Sequence, residues 1–102
     1  MPEYLRLYQS AVHPSDVEEI QRLFVEDVLP AFNRAPGCLG LELTVSVECN
    51  AGGLVEGAAI SRWSSLEAMS TALGSHEVRE ALVRIRQLLR QEPVSKVLQV
   101  LR

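Results

Sequence analysis

Between Cys38 and Glu48 the chain alternates without a break. Leu39, Leu41, Leu43, Val45 and Val47 fall on one side, and Cys38, Gly40, Glu42, Thr44, Ser46 and Glu48 on the other. A period of two sustained over this length suits an extended strand and no helix, because successive strand side chains point to opposite faces. The pattern predicts a long strand over 38–48 with one buried face, so the fold must contain a sheet with a cover.

The flanking segments supply the rest of that fold. Asn50-Ala51-Gly52-Gly53 reads as a hairpin loop. The return strand then runs over 54–63, with Val55, Gly57, Ala59, Ser61 and Trp63 on one face. Residues 3–12 form a first strand that places Leu5, Leu7, Gln9 and Ala11 on one face and Tyr4, Arg6, Tyr8 and Ser10 on the other. His13-Pro14 closes it, since proline cannot donate to a ladder. Ser15-Asp16-Val17-Glu18 has the form of a capping box. The helix that follows, to about Arg34, carries an apolar stripe of Val17, Ile20, Phe24, Val28 and Ala31 or Phe32. Pro30 inside it is expected to kink it or end it early. Ala35-Pro36-Gly37 is a turn. Ser64-Ser65-Leu66-Glu67 has the form of a second capping box, on a short helix that reaches Leu73 and ends at Gly74. Ser75 caps a helix over 76–91 with Val78, Leu82, Ile85 and Leu89 in phase, and a last strand covers 94–101 after Pro93.

The order is βαββαβ, with the second helix broken in two. It predicts one α+β domain over 1–102, ferredoxin-like, with a four-stranded antiparallel sheet and its helices on one face. The uncovered face is expected to hold Tyr4, Arg6, Tyr8, Glu42, Thr44, Ser46, Ala58, Ile60 and part of the last strand. That mixture is too apolar for water alone. A homodimer through the open sheet face follows; the alternative is a monomer with a wet sheet.

The remaining composition mostly excludes. The net charge is −3, and Arg79, Arg84, Arg86 and Arg90 are interleaved with Glu77 and Glu80, which reads as a solvated helix face. No basic footprint for nucleic acid is present. No apolar run is long enough for a membrane span, and the first residues lack the layout of a signal peptide, so a cytoplasmic location is the expectation. Cys38 and Cys49 stand at opposite ends of one strand; at about 3.3 Å per residue they lie too far apart to pair. No set of metal ligands accompanies them.

Two segments carry a resemblance. Pro36-Gly37-Cys38-Leu39-Gly40-Leu41-Glu42-Leu43 and Ile60-Ser61-Arg62-Trp63-Ser64-Ser65-Leu66-Glu67-Ala68-Met69 are similar to the antibiotic biosynthesis monooxygenase domain family. The resemblance implies a dimeric α+β barrel. It also implies oxidation of a phenol- or quinol-like small molecule by O₂ without metal or flavin, so no cofactor is expected. The substrate anion supplies the electrons, and the protein positions it, aids deprotonation and excludes water. Two departures stand out. The quinone-forming members use an asparagine near their tryptophan, whereas the asparagines here, Asn33 and Asn50, fall at a helix end and a turn. Heme-degrading relatives carry an axial histidine where this chain has Leu82.

The candidate site follows. Trp63 and His76 are the candidate catalytic residues, Trp63 as a pocket wall and His76 as a general base. Gly57, Ala59 and Ser61 leave room for substrate between sheet and helices, and Gln9 is placed to hydrogen-bond a substrate oxygen. For each a plainer role exists: a core tryptophan, an exposed histidine in a first helical turn, an amide reaching water at a strand end. His13 reads as surface. Arg6 and Tyr8 share the other sheet face and read as interface packing, with anion binding as the alternative. The leading function is a cofactor-independent monooxygenase. The alternative is a non-catalytic small-ligand-binding or stress-response protein on the same barrel. A regulatory module is a weaker reading, and an RNA-binding sheet lacks its aromatic and basic signature.

Overall fold

The computed structural model describes residues 2–102. Strand β1 (Glu3–Val12) leads through a 3₁₀ turn at Pro14–Asp16 into α1 (Val17–Leu23), a π-helical segment (Phe24–Val28) and α2 (Leu29–Arg34). Strands β2 (Cys38–Cys49) and β3 (Val55–Trp63) form a hairpin, followed by α3 (Leu66–Gly74), α4 (His76–Leu88) and β4 (Val94–Val100). The four strands lie in the order β2-β3-β1-β4 and every pairing is antiparallel. This is the ferredoxin-like α+β architecture. No helix is long and apolar enough to cross a membrane.

Pro30 neither ends nor breaks the first helical run. Just before it the helix widens, and the Leu29 N–H bonds to the Phe24 carbonyl, five residues back. This shift of the bonding pattern accommodates the missing donor at Pro30, so the run reaches Arg34. The first capping box also fails to form. His13 takes the capping role: its Nδ1 accepts from the Ser15 N–H at 3.1 Å, and α1 starts at Val17 with no side-chain cap. Pro14 opens a turn of its own, and Ser15 lies inside that turn, two residues before α1. At α3 the cap is Ser65 rather than Ser64, accepting from the Ala68 N–H at 3.0 Å. Ser75 caps α4 through the Val78 N–H. Helix α4 stops at Leu88, earlier than the spacing predicts, because Leu89 turns extended and bridges to Val12.

Register decides which way each strand faces. In the β1–β3 ladder Tyr4 stands opposite Trp63, Arg6 opposite Ser61, Tyr8 opposite Ala59 and Ser10 opposite Gly57. Residues directly opposed share a face, and Trp63 sits in the helix-covered core with Phe24, Val28, Phe32, Met69 and Val78. Tyr4, Arg6, Tyr8 and Ser10 therefore face the helices, and Leu5, Leu7 and Gln9 face the open side. This reverses the expected orientation of β1. The small residues of β3 leave space on the helix face for the larger side chains of β1. The leucines pair instead with Ile60, Arg62 and Leu98 on the uncovered face.

Strand β2 departs from strict alternation. Cys38 opposes Trp63 and Gly40 opposes Arg62, so Leu39 is an extra residue in the strand. The bulge turns Cys38 into the core and leaves Leu39 52% exposed. Leu41 and Leu43 pack on the core as expected, whereas Val47 is fully exposed beyond a second irregularity.

Gly37 joins the two halves. Its φ of +83° suits glycine, and its carbonyl accepts from the Ser64 N–H at 2.9 Å. A Cβ there would lie 2.5 Å from the Ala68 Cβ. Gly37→Ala is expected to destabilise the protein by about 2–4 kcal/mol, summing the left-handed penalty and overpacking. Gly40→Ala, where no atom lies within 4 Å of the added carbon, serves as the reference. Urea denaturation midpoints of the two variants check the difference.

Candidate functional site

Between the sheet and the helices an apolar cleft follows the small residues of β3. Gly57 and Ala59 line a narrow cavity of about 60 Å³ with Tyr8, Leu43, Ile85 and Leu89. A wider space of about 290 Å³ lies between α1 and β2 and shares Val12, Ile20, Leu43 and Val45 with it. Glycine is required at position 57 for a local reason: a Cβ would meet the Thr44 carbonyl oxygen of β2 at 2.9 Å. Tyr8 and Leu89 form the wall on the other side. Beyond them lies an open recess of about 650 Å³ that includes Arg6, Arg86, Arg90 and Ser95. A further depression of about 510 Å³ among α2, α3 and the start of α4 has no His, Cys or Tyr in its lining.

Trp63 does not line the cleft. It is completely buried, its indole N–H donates to the Ser61 hydroxyl at 2.8 Å, and its ring packs on Phe32 with centroids 5.9 Å apart. Ser61 is spent on this bond and is 2% exposed. Both residues close one end of the layer between sheet and helices, and the space opens only from Ala59 outward. The expectation of a chamber walled by Trp63 is corrected accordingly. A large indole beside small neighbours leaves no void there, because Phe32 fills it.

Two other candidates lie elsewhere. The His76 side chain is 90% exposed, 3.9 Å from Glu80. It stands nine residues before Ile85 on α4, about 13 Å along the axis from the cleft. Gln9 is exposed on the open sheet face, where it borders a surface groove with Glu56 and Lys96. The pairing that turns the leucines outward turns Gln9 outward with them. Of the six candidates, Gly57 and Ala59 alone line the cleft.

The polar groups at the cleft are ones the sequence placed on the opposite face. The Tyr8 hydroxyl is buried and, among the described residues, is the only buried side-chain polar atom without a hydrogen-bond partner. The Arg6 guanidinium lies over the Tyr8 ring, 5.0 Å from its centroid. Burial lowers the Arg6 pKa below its ordinary value; Tyr8 opposes the shift and Arg86 adds to it. The group stays cationic all the same. Burial also raises the Cys38 thiol pKa, which disfavours its thiolate. No cluster of three or more His, Cys, Asp or Glu able to hold a metal occurs among the described residues.

Two hydroxyls near β3 should respond oppositely to removal. Ser61→Ala leaves the buried indole N–H unpaired and is expected to cost about 1–3 kcal/mol. Tyr8→Phe removes an oxygen that already lacks a partner, and is expected to leave stability unchanged or raise it by about 1 kcal/mol. Urea unfolding followed by tryptophan fluorescence measures both.

No family model and no curated protein matches the sequence. Solved structures match at the level of fold. A protein provisionally named an antibiotic biosynthesis monooxygenase from Caulobacter crescentus is 19% identical, with a TM-score of 0.79 over 98% of this chain and 91% of its own. A protein of the same provisional name from Bordetella bronchiseptica is 16% identical, with a TM-score of 0.79 and full coverage of both chains. SnoaB, a cofactor-independent oxygenase from Streptomyces nogalater, is 20% identical, with a TM-score of 0.68 over 98% of this chain and 92% of its own. Along essentially its whole length, the chain has the fold of these monooxygenase-named structures.

Proposed function

We propose that this protein is a member of the antibiotic biosynthesis monooxygenase family and a cofactor-independent oxygenase for a small phenol- or quinol-type substrate. The observation that carries the reading is the apolar cleft between sheet and helices beside Gly57 and Ala59, with the unpartnered Tyr8 hydroxyl at its wall. The likeness in fold to SnoaB supports it. The aromatic body takes the space of about 290 Å³ between α1 and β2, and its oxygen reaches the Tyr8 hydroxyl through the adjoining cavity of about 60 Å³, which is too small to hold a ring by itself. In an apolar site that bond and the nearby Arg6 charge favour the phenolate over the phenol.

The phenolate is the electron source. For an anthrone-type substrate its ring carbon passes electrons to O₂ and forms the new C–O bond. One oxygen atom stays as the quinone carbonyl, and the other leaves as water with the two hydrogens of the original CH₂. The Tyr8 hydroxyl holds the anion, the Arg6 charge lies behind the Tyr8 ring, and Gly57 and Ala59 leave room for the substrate oxygen to approach. His76 has no part in this reaction, since it lies outside the cleft.

Assembly belongs to the same reading. The open sheet face carries Leu5, Leu7, Ala58, Ile60, Val94 and Leu98, ringed by charges of both signs at Glu3, Glu42, Glu56, Arg62 and Lys96. Val94 is 55% and Leu98 46% exposed. An apolar centre with a mixed-charge rim complements a second copy of itself about a two-fold axis. A homodimer through this face shields the sheet and leaves the cleft on the helix side free.

Oxygen uptake with a panel of hydroquinones and anthrones tests the activity. Turnover above autoxidation is expected on at least one, and Ala59→Val, which adds two methyl groups to the cleft wall, is expected to lower kcat/KM about ten-fold or more. No turnover on any member of the panel would overturn the enzyme reading. It would leave the non-catalytic binding protein, which a ligand co-purifying unchanged in native mass spectrometry would support. For the assembly, sedimentation at micromolar concentration should give a dimer, and Ile60→Glu, at the centre of the open face, should give a monomer.

A further inference from the structure

The recess behind Tyr8 has a chemistry of its own. Arg6 sits on the helix-covered face of the sheet and is partly buried. Among the described residues neither it nor Arg86 makes an ion pair, whereas Arg90 reaches Asp16 at 3.7 Å. Glu92 also belongs to the recess lining and pairs with neither. A partly buried cation without an acid partner carries a desolvation cost that an anion in the recess would offset. Two residues along the same strand, Tyr8 holds the buried hydroxyl that lacks a partner. The two orphaned groups are neighbours, 5.0 Å from guanidinium carbon to ring centroid. Leu89 and Pro93 add an apolar wall to the same recess.

We propose that this recess, between β1, the end of α4 and the start of β4, binds the carboxylate of a small aromatic acid. The guanidinium groups of Arg6 and Arg86 take the carboxylate in their planar forks. The aromatic body lies against Tyr8 and Leu89, the two residues that the recess shares with the apolar cleft. An inorganic anion would satisfy the charges and leave that wall bare. The inference adds an acidic substituent to the ligand and stands whether or not the ligand is then oxidised, so oxygen uptake and binding fail independently.

Calorimetric titration of the full chain with 2-naphthoate, with the neutral 2-naphthamide and with inorganic phosphate tests it. The acid is expected to bind about ten-fold tighter than the amide, from one charge-assisted pair of bonds, and to weaken with salt. Arg6→Met and Arg86→Met should each remove most of that preference for the acid over the amide. Arg79→Met, on an exposed part of α4, should change nothing. Should Arg6→Met fail to fold, Arg86→Met at the exposed rim carries the test. Equal affinity for acid and amide, phosphate binding as tight as naphthoate, no saturable naphthoate binding at millimolar concentration, or an equal loss in Arg79→Met would each overturn the proposal.

Discussion

The β1–β3 ladder is the interaction on which the rest of this molecule depends. It runs without a slip from Tyr4 opposite Trp63 to Val12 opposite Val55. Because side chains in a strand alternate, one residue of displacement would exchange the whole helix-facing set for the open-facing set. The register seen here places the large side chains of β1 against the small ones of β3. That single choice sends Tyr8 and Arg6 under the helices, opens the cleft at Gly57 and Ala59, and exposes Leu5, Leu7 and Ile60 on the far side.

The ends of the ladder are then tied down by contacts of a different kind. At one end Trp63 is closed in by Phe32 and satisfied by Ser61. The close approach of Gly37 to Ala68 locks the β2 entry against α3. At the other end the chain is held by backbone bonds, with Leu89 bridged to Val12 and the Arg90 N–H donating to the Ala11 carbonyl at 2.8 Å. At the packed end Trp63 is completely buried. Near Ile85 and Leu89 a narrow apolar cavity remains. Close packing and open space are thus separated along the length of β3.

The sheet also separates two apolar surfaces by use. One is covered within the chain by α1, α2, α3 and α4. The other shows an apolar centre with a charged rim, including Arg62 paired to Glu3 at 2.8 Å. The cleft and the recess both lie on the covered side, so pairing through the open face would not obstruct them.

Order, number and approximate bounds of the elements were legible in the chain, because periodicity and turn chemistry are local properties. The alternation from Leu41 to Val45, the Asn50–Gly53 loop and the Ser75 cap need no distant partner to be read. Facing was not legible. Alternation in β1 says that Leu5 and Tyr4 point opposite ways, and both sets are apolar enough for a core. Only pairing with β3 chooses between them, since the choice depends on the size of residues some fifty positions away. The site inherits that ambiguity. Small residues at Gly57 and Ala59 announced a space, but Gln9 and His76, expected beside it, lie elsewhere, and the polar side chain at its wall is Tyr8, with Arg6 and Arg86 in the recess behind. Composition and spacing determined what this chain folds into; tertiary register decided which side chains meet in the cleft, because a side chain's neighbours across a sheet are set by the partner strand and not by its own.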